Sequence, residues 1–295
     1  MVLRNYLYLY RCEDAVYPMR NERNIAPLFF GALLFASLIV DWSGISFPLD
    51  IFRFPVNLLS MALWLAVAIE LYRQRAKWAI SRFLLSQGAT TLSLVVMVAL
   101  GIVFGFQLKP ATTSFTAIIA ILFLMTHLAL ITIRGWRNER GIRWRFAVNH
   151  LGLLIAIGSA FWGAPDREEL RAVVEYSKPT TEAYDLDSRL RILDNEMQLE
   201  DFVVDYYDNG TPERFEAKVR IGEERATIRV NKPYNTSLSE SVYLVSYDTA
   251  TPDDSQYCIV EVVREPWRYA TTAGIALMLV GAVMMFVGRA TRKKS

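Results

Sequence analysis

Two histidines, the only ones in the chain, lie inside long apolar runs: His127 in ILFLMTHLALITI and His150 in RFAVNHLGLLIAIGSA. An ionisable side chain in such a run is costly to bury unless it faces a bundle interior or binds a ligand. Neutral imidazole can coordinate haem iron without adding charge to an apolar site. Both histidines are therefore candidate haem ligands. The structural alternative, a hydrogen bond to a neighbouring carbonyl or hydroxyl group, stays open from position alone.

The residues around His150 predict two different faces of one helix. On the histidine side, apolar residues follow at three- and four-residue steps and could lie against a porphyrin: Leu153, Leu154, Ile157 and Phe161. On the opposite side, Gly152, Ala156 and Ala160 repeat every four residues. A face of small residues lets another helix approach closely.

The histidines must be positioned by membrane-spanning helices, because the apolar runs have about the 20 residues that cross a bilayer core. Six such runs occur: Ile25–Trp42, Pro55–Tyr72, Ala89–Phe106, Ser114–Ile133, Phe146–Gly163 and Trp267–Gly288. At about 1.5 Å per residue, His150 lies roughly 6 Å inside its span and His127 about 9 Å from the same side. Both imidazoles are therefore predicted at similar depth in the inner leaflet.

Basic residues predict the orientation, since those that flank spans stay on the cytoplasmic side. They cluster before the first span, in the second and fourth connections and in the tail, whereas the alternate short connections hold only Arg53 and Lys109. Both termini are therefore expected in the cytoplasm. Residues 1–24 lack a cleavable signal pattern, so the first span is predicted to be an uncleaved anchor.

The segment between spans five and six predicts a small β domain. Its first part, DREELRAVVEYSKPT, is expected to form a short amphipathic helix or lead-in. From about residue 199 the sequence alternates in five runs: LEDFVVDYY, ERFEAKVRI, ERATIRV, ESVYLVSYD and QYCIVEVVR. These runs favour strands. Turn signals separate them at Asp208-Asn209-Gly210, Gly222-Glu223 and Asn231-Lys232-Pro233. We expect an antiparallel sheet or a small sandwich.

The sequence thus predicts a polytopic α-helical membrane protein with about six transmembrane helices. One extracytoplasmic all-β domain is inserted before the last helix. The expected divisions are a cytoplasmic N-terminus (1–24), a five-helix membrane region (25–163), the β domain (164–266), the sixth helix (267–288) and a basic cytoplasmic tail (289–295).

Other catalytic patterns are missing from the outer segment. It has no histidine, and so offers neither a zinc site of the usual His/Cys kind nor a Ser-His-Asp arrangement. Its carboxylates are predicted to form a solvated surface: Glu168, Glu169, Glu200, Asp201, Asp205 and Asp208. Cys12 and Cys258 are expected on opposite sides of the membrane and therefore unpaired, with contact of Cys258 to another chain left open.

Four stretches in order resemble the ResB (CcsB) family of cytochrome c biogenesis proteins. They are FAVNHLGLLIAIGSAFWG, LEDFVVDYYDNGTPERFEAKVRI, TIRVNKPYNTSLSESVYLVSYD and CIVEVVREPWRYATTAGIALMLVGAVMMF. The resemblance covers roughly residues 145–288. The family usually has four spans and a larger outer domain, so this chain looks like a short form of this system II component.

The resemblance implies membrane-bound haem handling with a CcsA-like partner, which delivers haem across the membrane for attachment to apocytochrome c. The family's intramembrane haem-ligand histidine matches His150, and the similar predicted depth makes His127 a possible second axial ligand. We expect transiently bound haem b and a bacterial inner-membrane location. The CcsA partner's Trp-rich motif is missing, so we expect a non-catalytic subunit with no catalytic residues of its own. A net charge of +2 gives no argument for nucleic acid.

A different class of function remains open. The chain could be a non-haem membrane scaffold that recruits a substrate or partner through its β domain. A transporter or sensor of a small ligand receives little support, because the spans contain few other charged residues. Asp41 and Glu70 lie towards span ends.

Overall fold

The computed structural model describes residues 25–106, 111–139, 141–209, 212–248 and 255–292. Outside the described residues lie the expected cytoplasmic N-terminus 1–24 with Cys12, as well as 107–110 with Lys109, Arg140, Gly210, Thr211, 249–254 and the end of the tail, 293–295. The chain divides into two compact units. The first comprises Met1–Pro48 and Ala62–Gly135, and the second comprises Leu49–Met61 and Trp136–Ser295.

The helices follow the predicted apolar runs closely. They are α1 (Ile25–Trp42), α2 (Val56–Arg73), α3 (Ala79–Leu84), α4 (Gln87–Gly105), α5 (Phe115–Gly135), α6 (Trp144–Gly163) and α7 (Arg268–Arg292). Within the described ranges, six of them are long and apolar enough to cross a membrane, all except the short α3. The prediction of six apolar helices is confirmed.

In the first unit, α5 packs against several neighbours and provides half of the buried residues that the structure describes there. Met125 and Leu130 are fully buried. Phe123 stacks on Phe30 of α1 with ring centroids 3.7 Å apart. The N-terminus of α5 is capped by Asp41, a residue of α1. Since a carboxylate at a helix N-terminus satisfies free N–H groups, Asp41 joins α1 and α5.

In the second unit, a short hairpin, β1 (Arg137–Asn138) and β2 (Gly141–Ile142), precedes α6. After α6 the chain forms a β domain and then returns through α7. The strands of the domain are β3 (Glu168–Glu175), β4 (Thr180–Tyr184), β5 (Leu190–Tyr206), β6 (Pro212–Ile221), β7 (Glu224–Arg229), β8 (Tyr234–Asn235), β9 (Glu240–Tyr247) and β10 (Tyr257–Arg264).

The eight strands form one antiparallel sheet in the order β7-β6-β5-β4-β3-β10-β9-β8. Its two end strands, β7 and β8, are consecutive in the chain, and the Tyr234 hydroxyl of β8 donates to a carboxylate oxygen of Glu224 in β7 at 2.5 Å. The sheet therefore curls until its ends meet. Inward-facing side chains such as Val174, Val219 and Val260 join in one buried cluster. The predicted antiparallel sheet is confirmed, and the sandwich alternative is not the one adopted.

The expected helix or lead-in before the strands is wrong: residues 168–175 form strand β3. Leu170, Ala172 and Val174 point into the core, while Arg171 and Val173 point outwards. This two-residue period belongs to a strand. Strand β3 pairs with β10 along its whole length, a partner about 90 residues away. The sheet therefore starts some 30 residues before the first predicted strand.

The outer carboxylates form cross-strand ion pairs on the sheet surface. Asp201 accepts from Lys218 at 2.8 Å, and Glu200 lies 3.0 Å from Arg225. Asp205 pairs with Arg214. The hydrogen bond to Asp201 raises the pKa of Lys218. These contacts match the predicted solvated surface. The predicted turn at Gly222 is also present, with φ of +58°.

Candidate functional site

Helix α6, which carries His150, packs on α7 with almost no space between the two backbones. A Cβ atom on Gly152 would lie 2.8 Å from the Gly274 carbonyl oxygen, and one on Gly274 would lie 2.8 Å from the Cα atom of Ala156. Small residues permit such an approach, because backbone can then contact backbone. The predicted small-residue face is confirmed at Gly152 and Ala156.

The third predicted member of this face, Ala160, is exposed instead. Ser159 takes the position next to α7, where its hydroxyl lies 2.9 Å from that of Thr271. A helix turns 3.6 residues per turn, so a strict four-residue repeat drifts off the contact line. The face therefore follows the three-residue step from Ala156 to Ser159. At its other end, the Asn149 amide donates to the Met278 carbonyl at 3.0 Å.

His150 lies on the part of α6 that α7 does not cover, and it is half-buried. Its Nδ1 is 3.0 Å from the carbonyl oxygen of Phe146. A carbonyl can only accept, so Nδ1 carries the proton and Nε2 presents its lone pair. Among the described residues, Nε2 has no hydrogen-bond partner. This tautomer is the one that lets Nε2 bind a metal while a backbone carbonyl holds the ring.

A stack of side chains also limits the orientation of the imidazole. The Phe146 ring lies against the His150 ring with centroids 3.8 Å apart and an interplanar angle of 24°. The Arg143 guanidinium covers the Phe146 ring at 4.8 Å from its centroid, a favourable cation–π arrangement. The stack and the carbonyl contact together direct Nε2 away from the helix.

The predicted apolar wall beside His150 is present on the same helix. Its members are neither fully buried nor fully exposed: Leu153, Leu154, Ile157 and Phe161. Flat apolar ligands are bound by such surfaces, with a small number of polar groups that set their orientation. An apolar surface beside a free imidazole nitrogen could hold a flat apolar ligand that carries a metal.

His127 has a different environment, within the first unit. It is 4% exposed, and its Nδ1 lies 2.6 Å from the Leu84 carbonyl at the end of α3. Its Nε2 lies 3.1 Å from the Thr90 hydroxyl of α4. Since Nδ1 must donate to the carbonyl, Nε2 accepts from the hydroxyl. Both ring nitrogens are therefore occupied, and the imidazole ties α5 to α3 and α4.

A polar junction that the sequence patterns did not indicate lies just beyond α6. Asp166 accepts from the Asn57 amide at 2.6 Å, from the Trp267 indole at 2.7 Å and from the Phe54 backbone N–H at 2.8 Å. Asn57 is fully buried and also donates to the Trp162 carbonyl. The junction ties the starts of α2 and α7 to the end of α6. An Asp directly after a span was its only sequence signal.

Arg264, the last residue of β10, gathers carboxylates from three other strands. It lies 2.6 Å from Glu240, 2.7 Å from Asp194 and 3.9 Å from Glu168. Partial burial alone would lower the pKa of Arg264, but the hydrogen bond and charge of Glu240 outweigh it and raise the pKa. The cluster joins β3, β5, β9 and β10 at the end of the sheet nearest the helices.

Cys258 does not resemble a reactive or pairing thiol. It is fully buried in the core of the β domain, and burial raises the pKa of its thiol to about 12. Thiols react as thiolates, so Cys258 should be inert while the domain is folded. The possibility of an intermolecular contact through this residue loses its support.

The comparisons with known proteins point to the segment that bears His150. The ResB-like family matches residues 139–259, which include α6 and most of the β domain. The predicted resemblance to this cytochrome c biogenesis family is confirmed for that segment. No curated protein sequence matches the chain.

Among solved structures, the chain is similar to one titled "Cytochrome c Heme Lyase CcmF", with a TM-score of 0.41 and 15% sequence identity. The similarity covers 91% of this chain and 46% of the lyase. The chain therefore spans less than half the length of that protein. A likeness this distant does not establish a shared activity.

Proposed function

We propose that this chain is a ResB-like subunit of a cytochrome c maturation complex, a short form of the system II component, which assists haem delivery across a membrane. The ResB-like match over residues 139–259 supports the cytochrome c maturation role. The observation that carries the haem proposal lies within that match: the Nε2 lone pair of His150 is unengaged while Nδ1 is held by the Phe146 carbonyl.

The six apolar helices would span a bacterial inner membrane, with both termini in the cytoplasm and the β domain in the periplasm. The basic connections support this orientation. Strands β3 and β10 run almost directly into α6 and α7. The β domain would therefore stand on the outer surface of the membrane, where apocytochrome c is present.

Haem b is the cargo, bound transiently, and its iron would accept Nε2 of His150 as an axial ligand. Leu153, Leu154 and Ile157 would contact the porphyrin face. Coordination of the iron by His150 would be favourable and would offset the cost of keeping an imidazole in an apolar helix. His127 stays a candidate haem ligand, but it would have to release the Thr90 hydroxyl to free its Nε2.

The chain would act with a CcsA-like membrane partner. We assign attachment to the complex and haem binding to His150. The outer face of the β domain would dock the partner or the apocytochrome. The alternative function, a non-haem membrane scaffold, has the same docking role and differs only in that it binds no haem.

Haem content of the purified chain, expressed with its partner, tests the proposal. We expect the Soret absorbance per protein to fall at least about tenfold in His150→Gly, since loss of an axial ligand removes most of the binding energy. Added imidazole should restore haem, because it can occupy the space that the side chain leaves. His150→Ala should behave as His150→Gly does without imidazole.

The matched control is Leu151→Ala, at the half-buried position directly after His150. This change shortens a side chain on the same helix without removing a nitrogen ligand, so the variant should retain haem. Unchanged haem in His150→Gly would refute the ligand assignment. A wild-type complex without haem would leave the scaffold as the function.

A further inference from the structure

Four exposed apolar side chains lie on three separate loops at the end of the β domain nearest α6 and α7. They are Ile51, Phe54, Leu186 and Leu238, with exposed fractions of 64%, 68%, 69% and 74%. We call them the basal apolar set. All belong to the second unit, so their levels can be compared with those of the two helix ends.

The β4–β5 turn places Leu186 at the level of the α6 end. Tyr184 pairs with Arg171 of β3 and with Leu190 of β5. Continuing that antiparallel register by two residues brings Leu186 level with Glu169, near the start of β3. The turn is well held, because Asp185 accepts from the backbone N–H groups of Asp187 and Arg189.

The turn before β9 places Leu238 at the level of the α7 start. Glu240 pairs with Arg264, the last residue of β10. The backbone N–H of Glu265 then donates to the Ser239 carbonyl at 2.7 Å. The same register puts Leu238 level with Pro266, the residue before Trp267.

The connection before α2 brings Ile51 and Phe54 to this level too. The Phe54 backbone N–H donates to Asp166, and Arg53 lies 3.0 Å from Glu168. Asp166 also accepts from the Trp267 indole. Three loops that are distant in sequence thus present apolar side chains beside the ends of both helices.

We propose that the basal apolar set lies in the headgroup and acyl boundary of the lipid bilayer and so seats the β domain on the membrane. The inference rests on the proposed spanning of α6 and α7. If those helices cross a bilayer, side chains level with their ends must meet its interface. Exposed leucine and phenylalanine side chains gain free energy when they enter that region, and Trp267 at the same level is typical of the interface.

Site-specific fluorescent labels in lipid nanodiscs test this placement. The labelling background is Cys12→Ser, which leaves Cys258, a buried thiol that should not react. An environment-sensitive dye is attached in turn at Leu186→Cys and Leu238→Cys. Nanodiscs are made with ordinary or brominated acyl chains, because bromine quenches only nearby dyes.

Two further positions calibrate the measurement. Lys178 is exposed in the β3–β4 turn, at the opposite end of β3 and about 25 Å from Glu168 along the strand. A dye at Lys178→Cys should report water. Phe286 of α7 is 74% exposed, and a dye at Phe286→Cys should report lipid if α7 spans the membrane.

We expect dyes at positions 186 and 238 to show blue-shifted emission and about twofold quenching by brominated lipid, as a dye at the interface should. Lys178→Cys should show neither change. Quenching at Phe286→Cys without quenching at the two basal positions would overturn the inference and leave the spans intact. An apolar signal at the basal positions that appears only on adding the CcsA-like partner would also overturn it, since the occupant would then be a protein.

If α6 and α7 do not span the membrane, the dye at Phe286→Cys will also remain unquenched. That outcome is therefore distinguishable from failure of the inference alone. Haem content of the same labelled samples reports separately on His150, so loss of the haem proposal does not change the dye result.

Discussion

Helices α5 and α6 each carry one histidine in an apolar stretch, but they pack in different ways. Of the most apolar stretch of α5, 56% is buried, compared with 28% for α6. Helix α5 is covered on several sides by its own unit. Helix α6 contacts α7 through one narrow face of small residues, which leaves the His150 face available.

The difference shows how packing decides the chemistry of a histidine. At His127 the neighbouring helix ends provide an acceptor and a hydroxyl, so the imidazole acts as a structural link. At His150 only a carbonyl of the same helix is engaged. The contact at Nδ1 holds the ring of His150 and leaves Nε2 free to act as a ligand. Four predictions test this contrast.

The largest effect should come from filling the narrow face of α6. In Gly152→Leu, the new side chain would meet the α7 backbone, where even a Cβ atom would lie 2.8 Å from the Gly274 carbonyl oxygen. We expect a loss of at least about 3 kcal/mol, because backbone cannot move aside as a side chain can. Thermal unfolding of the purified protein in detergent measures this loss of stability. Gly101→Leu in α4 is the control, since a Cβ there meets nothing within 4 Å. Equal melting temperatures for Gly152→Leu and Gly101→Leu would contradict the close packing of α6 on α7.

The two histidines should differ when each is truncated in haem-free protein. His127→Ala leaves the Thr90 hydroxyl and the Leu84 carbonyl without their partner and opens a cavity, so we expect a loss of about 2–4 kcal/mol. His150→Ala removes a hydrogen bond and a ring stack, both to Phe146 of the same helix, at a half-buried position and should cost less than about 1 kcal/mol. Denaturant titration compares them. The contrast fails if His150→Ala is the more destabilising.

A smaller effect should follow from removing the cap of α5. Asp41 accepts from the Ser114 hydroxyl and from the backbone N–H groups of Phe115 and Thr116. Asp41→Ala should therefore cost about 1–2 kcal/mol. Asp50→Ala is the control: its carboxylate is 75% exposed and makes a surface ion pair, so its loss should stay within about 0.5 kcal/mol. Similar unfolding curves for the two variants would argue against the cap.

The smallest expected effect concerns the β4–β5 turn, which holds Leu186 beyond the end of α6. The backbone N–H of Arg189 lowers the pKa of Asp185. A lowered pKa means that the carboxylate stabilises the turn above its unfolded pKa, and that this contribution is lost as pH falls through the folded pKa. Hydrogen-exchange protection of the Arg189 amide, corrected for the intrinsic rate, should therefore fall on acidification below the unfolded pKa. Asp185→Ala, which removes the acceptor oxygens, should show low protection at every pH, and wild-type protection that persists at low pH would contradict the prediction.

The helices could be predicted from sequence because the signal is local. Helix α1 begins and ends where the apolar run does, at Ile25 and Trp42, and α2 is shifted by one residue. Strand β3 was missed because its short alternation becomes decisive only when β10 pairs with it. The four-residue repeat at Ala160 failed for a related reason, since the crossing line of α7 decides which residues are covered.

The candidate site likewise has some features that the sequence could predict and others that depend on tertiary packing. The apolar wall and the histidine could be read from spacing along one helix. The tautomer of His150 also depends on a residue only four positions away, Phe146, but its free Nε2 depends on what packs nearby. Asp166 was missed because its partners, Asn57 and Trp267, come from distant parts of the chain.

The sequence by itself determined six apolar helices, a β domain before the last of them and the presence of an imidazole in each of two helices, because composition and period act over neighbouring residues. Only the tertiary structure decided that His127 is fully hydrogen-bonded while His150 retains a free nitrogen. It also decided that Leu186 and Leu238 share the level of the helix ends. Hydrogen-bond partners and strand register join residues far apart in the chain, and such pairings exist only once the chain has folded.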